Sequence, residues 1–271
     1  MFQDKKIGII GFGNMGEAIL KSLLDKGVAQ KPNTYVSDSD QGRALYARSK
    51  YAANHSKTNK ELLASVDIVI LAIKPQDLKA LSSEISKDLR PNTLVISILA
   101  GVSTKKLESL FKGKPHIIRV MPNMPAKVGF GVSAISAGKH AGDQDKKNAA
   151  VIFRAVGDVI ELDEELMNAV TAISGSGPAY FFYLVELLIR AGVSYGLSFD
   201  LAKTLAMKTF QGSARLMESL NEEPEFLRKK ITSKGGTTEA AFKVFEKRKF
   251  EDVFMAAISA AAKRSKELSR G

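Results

Sequence analysis

The chain of 271 residues contains no cysteine, which excludes disulfides, thiol nucleophiles and thiolate metal sites. Imidazoles are scarce too: His55, His116 and His140 are the three present. They share no H-E-x-x-H or similar ligand spacing, so each reads as a surface or loop histidine and no metal is expected. No low-complexity tract occurs, and 45% hydrophobic with 25% charged residues is the balance of a chain that folds fully. The N-terminus runs directly into a strand pattern, without the basic-then-apolar layout of a signal peptide or an Arg/Ser-rich transit sequence, so a cytoplasmic location is expected. The longest apolar stretch, residues 178–196, carries Glu186 and Arg190 and reads as a buried or interface helix, not as a membrane span. A net charge of +11 suits an anionic partner. The lysines and arginines are spread along the chain, however, with no aromatic-interleaved basic stripe. That distribution argues for steering of small phosphate- or carboxylate-bearing molecules and against nucleic acid.

Two domains are expected at this length. The opening apolar run Ile7-Gly8-Ile9-Ile10 reads as a buried parallel strand. It is followed by Gly11-Phe12-Gly13-Asn14-Met15-Gly16 and then by helical apolar spacing. Gly11, Gly13 and Gly16 form G-x-G-x-x-G in the strand-turn-helix context of a dinucleotide site. There the first glycine makes the tight turn, the second admits the pyrophosphate and the third lets helix and strand pack closely. The pyrophosphate would rest on the helix N-terminus, where unpaired N–H groups and the dipole favour an anion.

A second short strand, residues 34–37, ends at Asp38, close to the ~20-residue spacing at which an acidic group meets the adenosine ribose. A turn aspartate capping the helix that begins near Gln41 is the alternative reading of Asp38. Strand-like segments at 52–55, 68–72, 94–98 and 117–120 then alternate with helical ones around 61–63, 76–89 and 107–111. This βαβ alternation predicts a doubly wound parallel sheet, covered on both faces, with ligand loops at the carboxyl ends of its strands. Three loops fall there: Ala72-Ile73-Lys74-Pro75, Leu99-Ala100-Gly101 and Met121-Pro122-Asn123-Met124-Pro125, with Lys74 and Asn123 as donors.

Residues 131–137 and 158–162 are the last expected strands, flanking a helix over 144–156. Helical patterns alone follow: 166–174, 178–195, 198–220, 224–231, 239–248 and 250–268. Pro178 suits the first position of a helix and Ser198 an N-cap. The expected division is a Rossmann domain over 1–163 and an all-α C-terminal domain over 164–271. Its helix from Ala179 to Tyr195 is apolar nearly all round, which predicts self-association. Two junctions offer small side chains, hydroxyls and a helix N-terminus: Ser174-Gly175-Ser176-Gly177-Pro178, and Thr232 to Thr238. Each is either a site for a small carboxylate or a plain cap.

Across nearly the whole chain these motifs resemble those of the pyrroline-5-carboxylate reductases. The resemblance rests on the glycine turn, Ala72 to Pro75, Leu99 to Val102, Arg119 to Pro125, and most specifically Ser174 to Tyr180 and Gly235-Gly236-Thr237-Thr238. It implies reduction of L-1-pyrroline-5-carboxylate to L-proline with NADPH or NADH, by a Rossmann domain joined to an all-α dimerisation domain. Thr238 is the implied catalytic contact to the ring nitrogen, and Ser233, Gly236, Thr237 and Ser176 are implied substrate contacts. The backbone donors of the Gly235-Gly236-Thr237 turn would hold the carboxylate. Gly11 to Gly16, Asp38, Asn59, Ala72, Ile73, Lys74, Pro75, Ala100, Gly101 and Asn123 are implied around the cofactor. Rings of dimers occur in the family. Lys234 stands where many members carry proline, and residues 37–39 lack the arginine that some NADPH-using members place there. Arg43 at the start of the next helix could attract a 2′-phosphate that Asp38 would repel, so NADPH and NADH are both expected to work; the family leans towards NADPH, which the resemblance therefore ranks first. A 2-hydroxyacid dehydrogenase of similar plan would need a lysine near the first ligand loop, and none lies from Ser174 to Ile189. The remaining alternative is a protein that senses the cofactor without turnover.

Overall fold

The computed structural model describes residues 4–270. Eight strands, β1 (Ile7–Ile10), β2 (Thr34–Ser37), β3 (Asn54–His55), β4 (Ile68–Leu71), β5 (Leu94–Ser97), β6 (His116–Met121), β7 (Gly131–Ala137) and β8 (Gly157–Glu161), form one sheet in the order β3-β2-β1-β4-β5-β6-β7-β8. The first six run parallel in the doubly wound 3-2-1-4-5-6 order. The expected parallel run stops there: β7 lies antiparallel to β6, and β8 is parallel to β7. The segment between β6 and β7 holds one short 3-10 turn, Met124–Val128, and is too short for the crossover that a parallel partner needs.

Six helices cover the sheet: α1 (Asn14–Asp25), α2 (Gln41–Tyr51), α3 (Asn59–Ser65), α4 (Leu78–Ile85), α5 (Thr104–Leu110) and α6 (Asp143–Arg154). Strand alternation sorts the core. Ile9, Ile70, Ile96 and Ile118 pack with Phe12, Ile19, Leu23 and Phe153 on one face. Val69, Leu71, Val95 and Ile117 pack with Leu62, Leu63, Leu81 and Leu107 on the other. Two local expectations are corrected. The helix expected over 76–89 opens with a 3-10 turn, Pro75–Asp77, and its α part is α4 alone. The strand expected over 52–55 is cut to β3 because Ala52 caps α2 in the left-handed region, at φ 54°.

The C-terminal part is helical, as expected. A short helix α7 (Met167–Val170) runs into a π-helical turn, Thr171–Gly175. It is followed by α8 (Gly177–Ser194), α9 (Phe199–Leu220), α10 (Pro224–Lys230), α11 (Thr237–Lys247) and α12 (Phe250–Arg270). Ser198 caps α9, its Oγ accepting from Leu201 N at 3.3 Å. Because α8 begins at Gly177, Pro178 is its second residue, still in the turn where a missing N–H is harmless. By packing, the chain divides at Ser176: the sheet unit extends to that residue and is rejoined by the chain from Ala261 onward, while Gly177–Ala260 form the second unit. Within the sheet unit, Ser265 Oγ donates to Asn168 Oδ1 at 2.8 Å.

The second unit has almost no interior. From Gly177 to Ala260 the buried residues are Gly177, Ala202 and Ala206. Its aromatic rings touch one another, Phe181 with Phe210 at 5.5 Å and Phe245 with Phe250 at 5.2 Å. Yet Phe182, Tyr183 and Leu188 remain 58%, 57% and 54% exposed. Apolar surface on this scale marks an interface.

Candidate functional site

The three glycines of the opening turn have separate jobs. Gly11 sits at φ +92°, where L side chains are strained, and a Cβ there would lie 2.7 Å from Ala72 O. A Cβ on Gly16 would meet Gly11 O at 2.3 Å, so this glycine lets α1 close onto β1. Around Gly13 nothing lies within 4 Å. Gly13 is also the N-cap of α1 and supplies no side-chain acceptor to its first turn. The result is an open helix N-terminus facing a cleft of about 660 Å³, walled by Gly11 and Gly13, by Ser37 to Ser39, by Thr58 and Asn59, and by Ala72 to Lys74. Space at Gly13, unpaired first-turn amides and a position at the carboxyl ends of β1 and β4 are what a dinucleotide pyrophosphate requires.

Other expected cofactor residues hold this turn from behind. Phe12 is buried, and its peptide is clamped from both sides. Its N–H donates to Asp38 Oδ2 at 2.5 Å, while Arg43 donates to its carbonyl from Nε at 2.9 Å and Nη2 at 2.6 Å. Asp38 Oδ1 accepts from Asp40 N at 2.8 Å. Asp38 therefore lines the cleft with both oxygens engaged by backbone, and the cap of α2 is Asp40, which accepts from Gly42 N at 2.8 Å. The Arg43 guanidinium is held on Phe12 O and lies 3.5 Å from Glu17 Oε2. Burial works to raise the Glu17 carboxyl, but hydrogen bonds from Tyr51, Lys50 and Tyr46 outweigh it and hold the group below its ordinary value. Met15 packs against the core, and Asn14 Oδ1 accepts from Lys127 Nζ at 2.9 Å.

Asn59 opens α3 behind the cap Thr58, whose Oγ1 accepts from Glu61 N at 3.1 Å, and Asn59 Nδ2 donates to Glu84 Oε2 at 3.0 Å. Lys57, Thr58 and Glu84 also wall the cleft and were not singled out from the sequence. The T-x-x-E capping pattern of Thr58 and Glu61, directly after a strand, was the available signal. Pro75 starts the turn after Lys74. Besides the residues behind the turn, three expected cofactor residues, Ala100, Gly101 and Asn123, do not line this cleft. Gly101, at φ +72°, packs its α-carbon on α12, where a Cβ would lie 2.8 Å from Leu268 Cβ. Asn123 is a brace: Nδ2 donates to Ser174 Oγ at 3.2 Å and Oδ1 accepts from Val132 N at 3.0 Å. Ala100 is half-buried beside Gly101. Nearby, buried Arg119 holds Glu164 at 2.7 Å, and Glu164 accepts from Thr104 N at 3.2 Å.

In the second unit, the loop before α11 differs from expectation in its donors. The helix opens at Thr237, not Glu239, with Gly236 as N-cap. Thr238 is thus the second helical residue, and the capping alternative for it falls away. Gly235 N donates to Glu239 Oε2 at 2.9 Å and Gly236 N to Ser233 O at 3.0 Å. Those two turn amides are engaged, and the groups left for an anion are the first-turn N–H groups of Thr237, Thr238 and Glu239. A Cβ on Gly236 would lie 2.6 Å from Ser233 Oγ, which can rotate away, and 3.0 Å from Ser233 O, a tight but adjustable fit. The Gly235 N–H, then Lys243 at 3.1 Å, holds the Glu239 carboxyl below its ordinary value. Ser176, in the sheet unit, donates its N–H to Thr171 O at 2.9 Å.

A doubly wound sheet with an open glycine at the first helix N-terminus defines the class of Rossmann-type dinucleotide-binding proteins. Comparison with known families narrows the class. Residues 6–101 match the family described as NADP oxidoreductase, coenzyme F420-dependent, and residues 164–268 match the pyrroline-5-carboxylate reductase dimerisation family. A pyrroline-5-carboxylate reductase of Synechocystis is 41% identical over 268 residues, covering 98% of each chain. Among solved structures, a pyrroline-5-carboxylate reductase from Coxiella burnetii superposes with a TM-score of 0.90 at 34% identity, over 98% of each chain. The pyrroline carboxylate reductase of Plasmodium falciparum with NADP bound gives a TM-score of 0.88 at 32% identity, over 99% of this chain and 100% of that one. The chain belongs to the pyrroline-5-carboxylate reductase family. Among the described residues one helical run, Glu164–Ser194, is long and apolar enough to cross a membrane by length and composition. It falls inside the dimerisation match and carries Glu186 and Arg190, 3.6 Å apart.

Proposed function

We propose that this chain reduces the C=N bond of L-1-pyrroline-5-carboxylate to give L-proline, the last step of proline biosynthesis, with NADPH as preferred donor and NADH as a second. The observation that carries the reading is the open Gly13 position at a helix N-terminus, in a chain that follows the reductase family from end to end. The cofactor supplies the hydride; the protein's task is placement. Gly11, Gly13, Asp38, Asn59, Ala72, Ile73 and Lys74 form the cofactor wall, and Phe12, Met15, Gly16 and Pro75 shape it from behind. A protonated cyclic imine is already electrophilic, so no general acid is required of the side chains. The first-turn N–H groups at Thr237 and Thr238 hold the substrate carboxylate. Thr238 Oγ1 accepts from the ring N–H, while Ser233, Gly236 and Ser176 complete the substrate contacts.

The functional division placed at 163/164 assigns the helices from 164 onward to substrate and self-association, and the exposed apolar helices favour a dimer or a ring of dimers in the cytoplasm. Nucleic acid and membrane are not partners in this reading. NADPH oxidation measured with and without pyrroline-5-carboxylate tests it. Oxidation that depends on the imine is the expected result. Turnover of a 2-oxo acid in its place, or cofactor binding with no turnover, would refute it.

A further inference from the structure

The cleft contains a cation that the turn does not use. Two lysines wall it, Lys57 and Lys74, and they stand on opposite sides of the point where the strand order reverses. Lys74 follows β4, whereas Lys57 follows β3, beyond β2. In a doubly wound sheet the end of β2 is where the adenosine ribose lies. The β2–β3 register, Tyr35 with Asn54 and Val36 with His55, continues through Ser56 N donating to Val36 O at 3.0 Å. Carried on two residues past the Val36–His55 pair, this register brings Lys57 level with Asp38, at the ribose end. Lys57 is exposed and its N–H donates to Glu61 Oε2 at 2.8 Å, while its ammonium makes no ion pair among the described residues. Lys60, three residues on, is tied to Asp88 at 3.4 Å.

We propose that Lys57, with the hydroxyls of Ser39 and Thr58 beside it, reads the 2′-phosphate and sets the preference for NADPH over NADH, while Asp38 and Arg43 act as positioning residues for the glycine turn. Asp38, Asp77 and Glu84 are the carboxylates that line the cleft, and Asp38 is the one at the ribose end. Both its oxygens accept backbone N–H groups, on Phe12 and Asp40, whose dipoles partly offset the field of the carboxylate at a nearby phosphate. Glu84, across the cleft, accepts from Asn59. Arg43, the cation nearest in sequence, is held on Phe12 O and beside Glu17. A mobile ammonium suits this task, because it neutralises a phosphate as a point charge without needing a fixed plane.

This inference rests on the dinucleotide reading of the cleft, and calorimetric binding of NADPH, NADH, 2′,5′-ADP and 5′-AMP keeps the two apart. For Lys57→Met, NADPH and 2′,5′-ADP should bind about tenfold more weakly, the worth of one charge-assisted contact. NADH and 5′-AMP should be unchanged, and Lys57→Arg should restore NADPH. The salt dependence of NADPH binding should flatten in Lys57→Met. Arg43→Met should weaken NADPH and NADH by the same factor, since it loosens the shared turn. A Lys57→Met ratio of NADPH to NADH affinity equal to that of the unsubstituted protein would overturn the inference alone, as would an Arg43→Met variant that shifts the ratio. Failure of the unsubstituted protein to bind either dinucleotide would remove the cleft reading together with it.

Discussion

Gly13→Ala adds one methyl group at the one glycine of the opening turn whose Cβ position is open. The backbone there, at φ −76° and ψ −165°, is accessible to alanine. Losing glycine at an N-cap costs about 0.5–1 kcal/mol, and restricting the unfolded chain returns about 0.4–1 kcal/mol, so folding stability should scarcely move. For a chain of this size, 1 kcal/mol shifts Tm by about 2–4 °C; a change under about 3 °C is expected. Binding should respond differently, because the methyl occupies the space assigned to the pyrophosphate. Displacing one or two charge-assisted hydrogen bonds, about 1.5–3 kcal/mol each, weakens NADPH by at least about tenfold. Gly16→Ala is the counterpart. Its Cβ would lie 2.3 Å from Gly11 O, so α1 must move away from β1, at about 1–3 kcal/mol. Scanning calorimetry and NADPH titration on both variants separate the roles. If Gly13→Ala bound NADPH as tightly as the unsubstituted protein, the pyrophosphate would not lie on this turn and the cleft assignment would fail.

Thr238→Ala removes a first-turn hydroxyl that caps nothing, so its Tm should stay within about 1–2 °C, while kcat/KM for pyrroline-5-carboxylate should fall about ten- to a hundredfold at normal NADPH affinity. Steady-state kinetics with unchanged kcat/KM would remove Thr238 from the site. Glu239 is held below its ordinary pKa, first by Gly235 N–H and then by Lys243; a depressed carboxyl contributes stability that is present above its unfolded pKa and lost as pH falls through the folded one. The Tm difference between the unsubstituted protein and Glu239→Gln should therefore shrink on acidification below the ordinary carboxylate value, and a difference that stays constant would contradict the linkage.

Periodicity alone marked the sheet, because buried parallel strands such as Ile68–Leu71 are continuous apolar runs bounded by turns. The reversal at β7 was less legible: residues 131–137 look apolar whichever way they run, and direction is fixed by the length of the preceding connection. In Ser37-Asp38-Ser39-Asp40, two aspartates offer the same cap chemistry, and only their angular placement assigns the cap to Asp40 and the Phe12 contact to Asp38. The same limit applied to Asn123. A donor in a ligand loop could not be distinguished by residue type from one bracing Ser174 and Val132. Glycines were better markers, yet their reasons differ. Gly101 and Gly236 look like ligand glycines in sequence, but Gly101 is required by its positive φ and by Leu268, and Gly236 sits closely over Ser233. Lys57 escaped notice because its significance depends on strand register, which places it beside a residue 19 positions earlier.

The helical unit carries the clearest physical demand for a partner. A segment of that length with Gly177, Ala202 and Ala206 as its buried residues has no core that could balance the conformational entropy of its backbone. Fully burying a large apolar side chain contributes about 1.5–3 kcal/mol; Phe182, Tyr183, Leu187 and Leu188 are on average half exposed, so covering the four adds about 3–6 kcal/mol, which approaches a whole domain's net stability of about 5–15 kcal/mol. Folding of α8 to α11 is then coupled to self-association, and stability depends on protein concentration. Light scattering should give a mass of at least twice the 29.4 kDa chain, and Tm should rise with concentration. Leu188→Lys, at a side chain 54% exposed in the single chain, should cost the assembly and much of the helical circular dichroism together, leaving the sheet unit folded. A monomer at micromolar protein with undiminished helicity would refute the coupling, because helices so poorly covered in one chain would then have been stable without a partner.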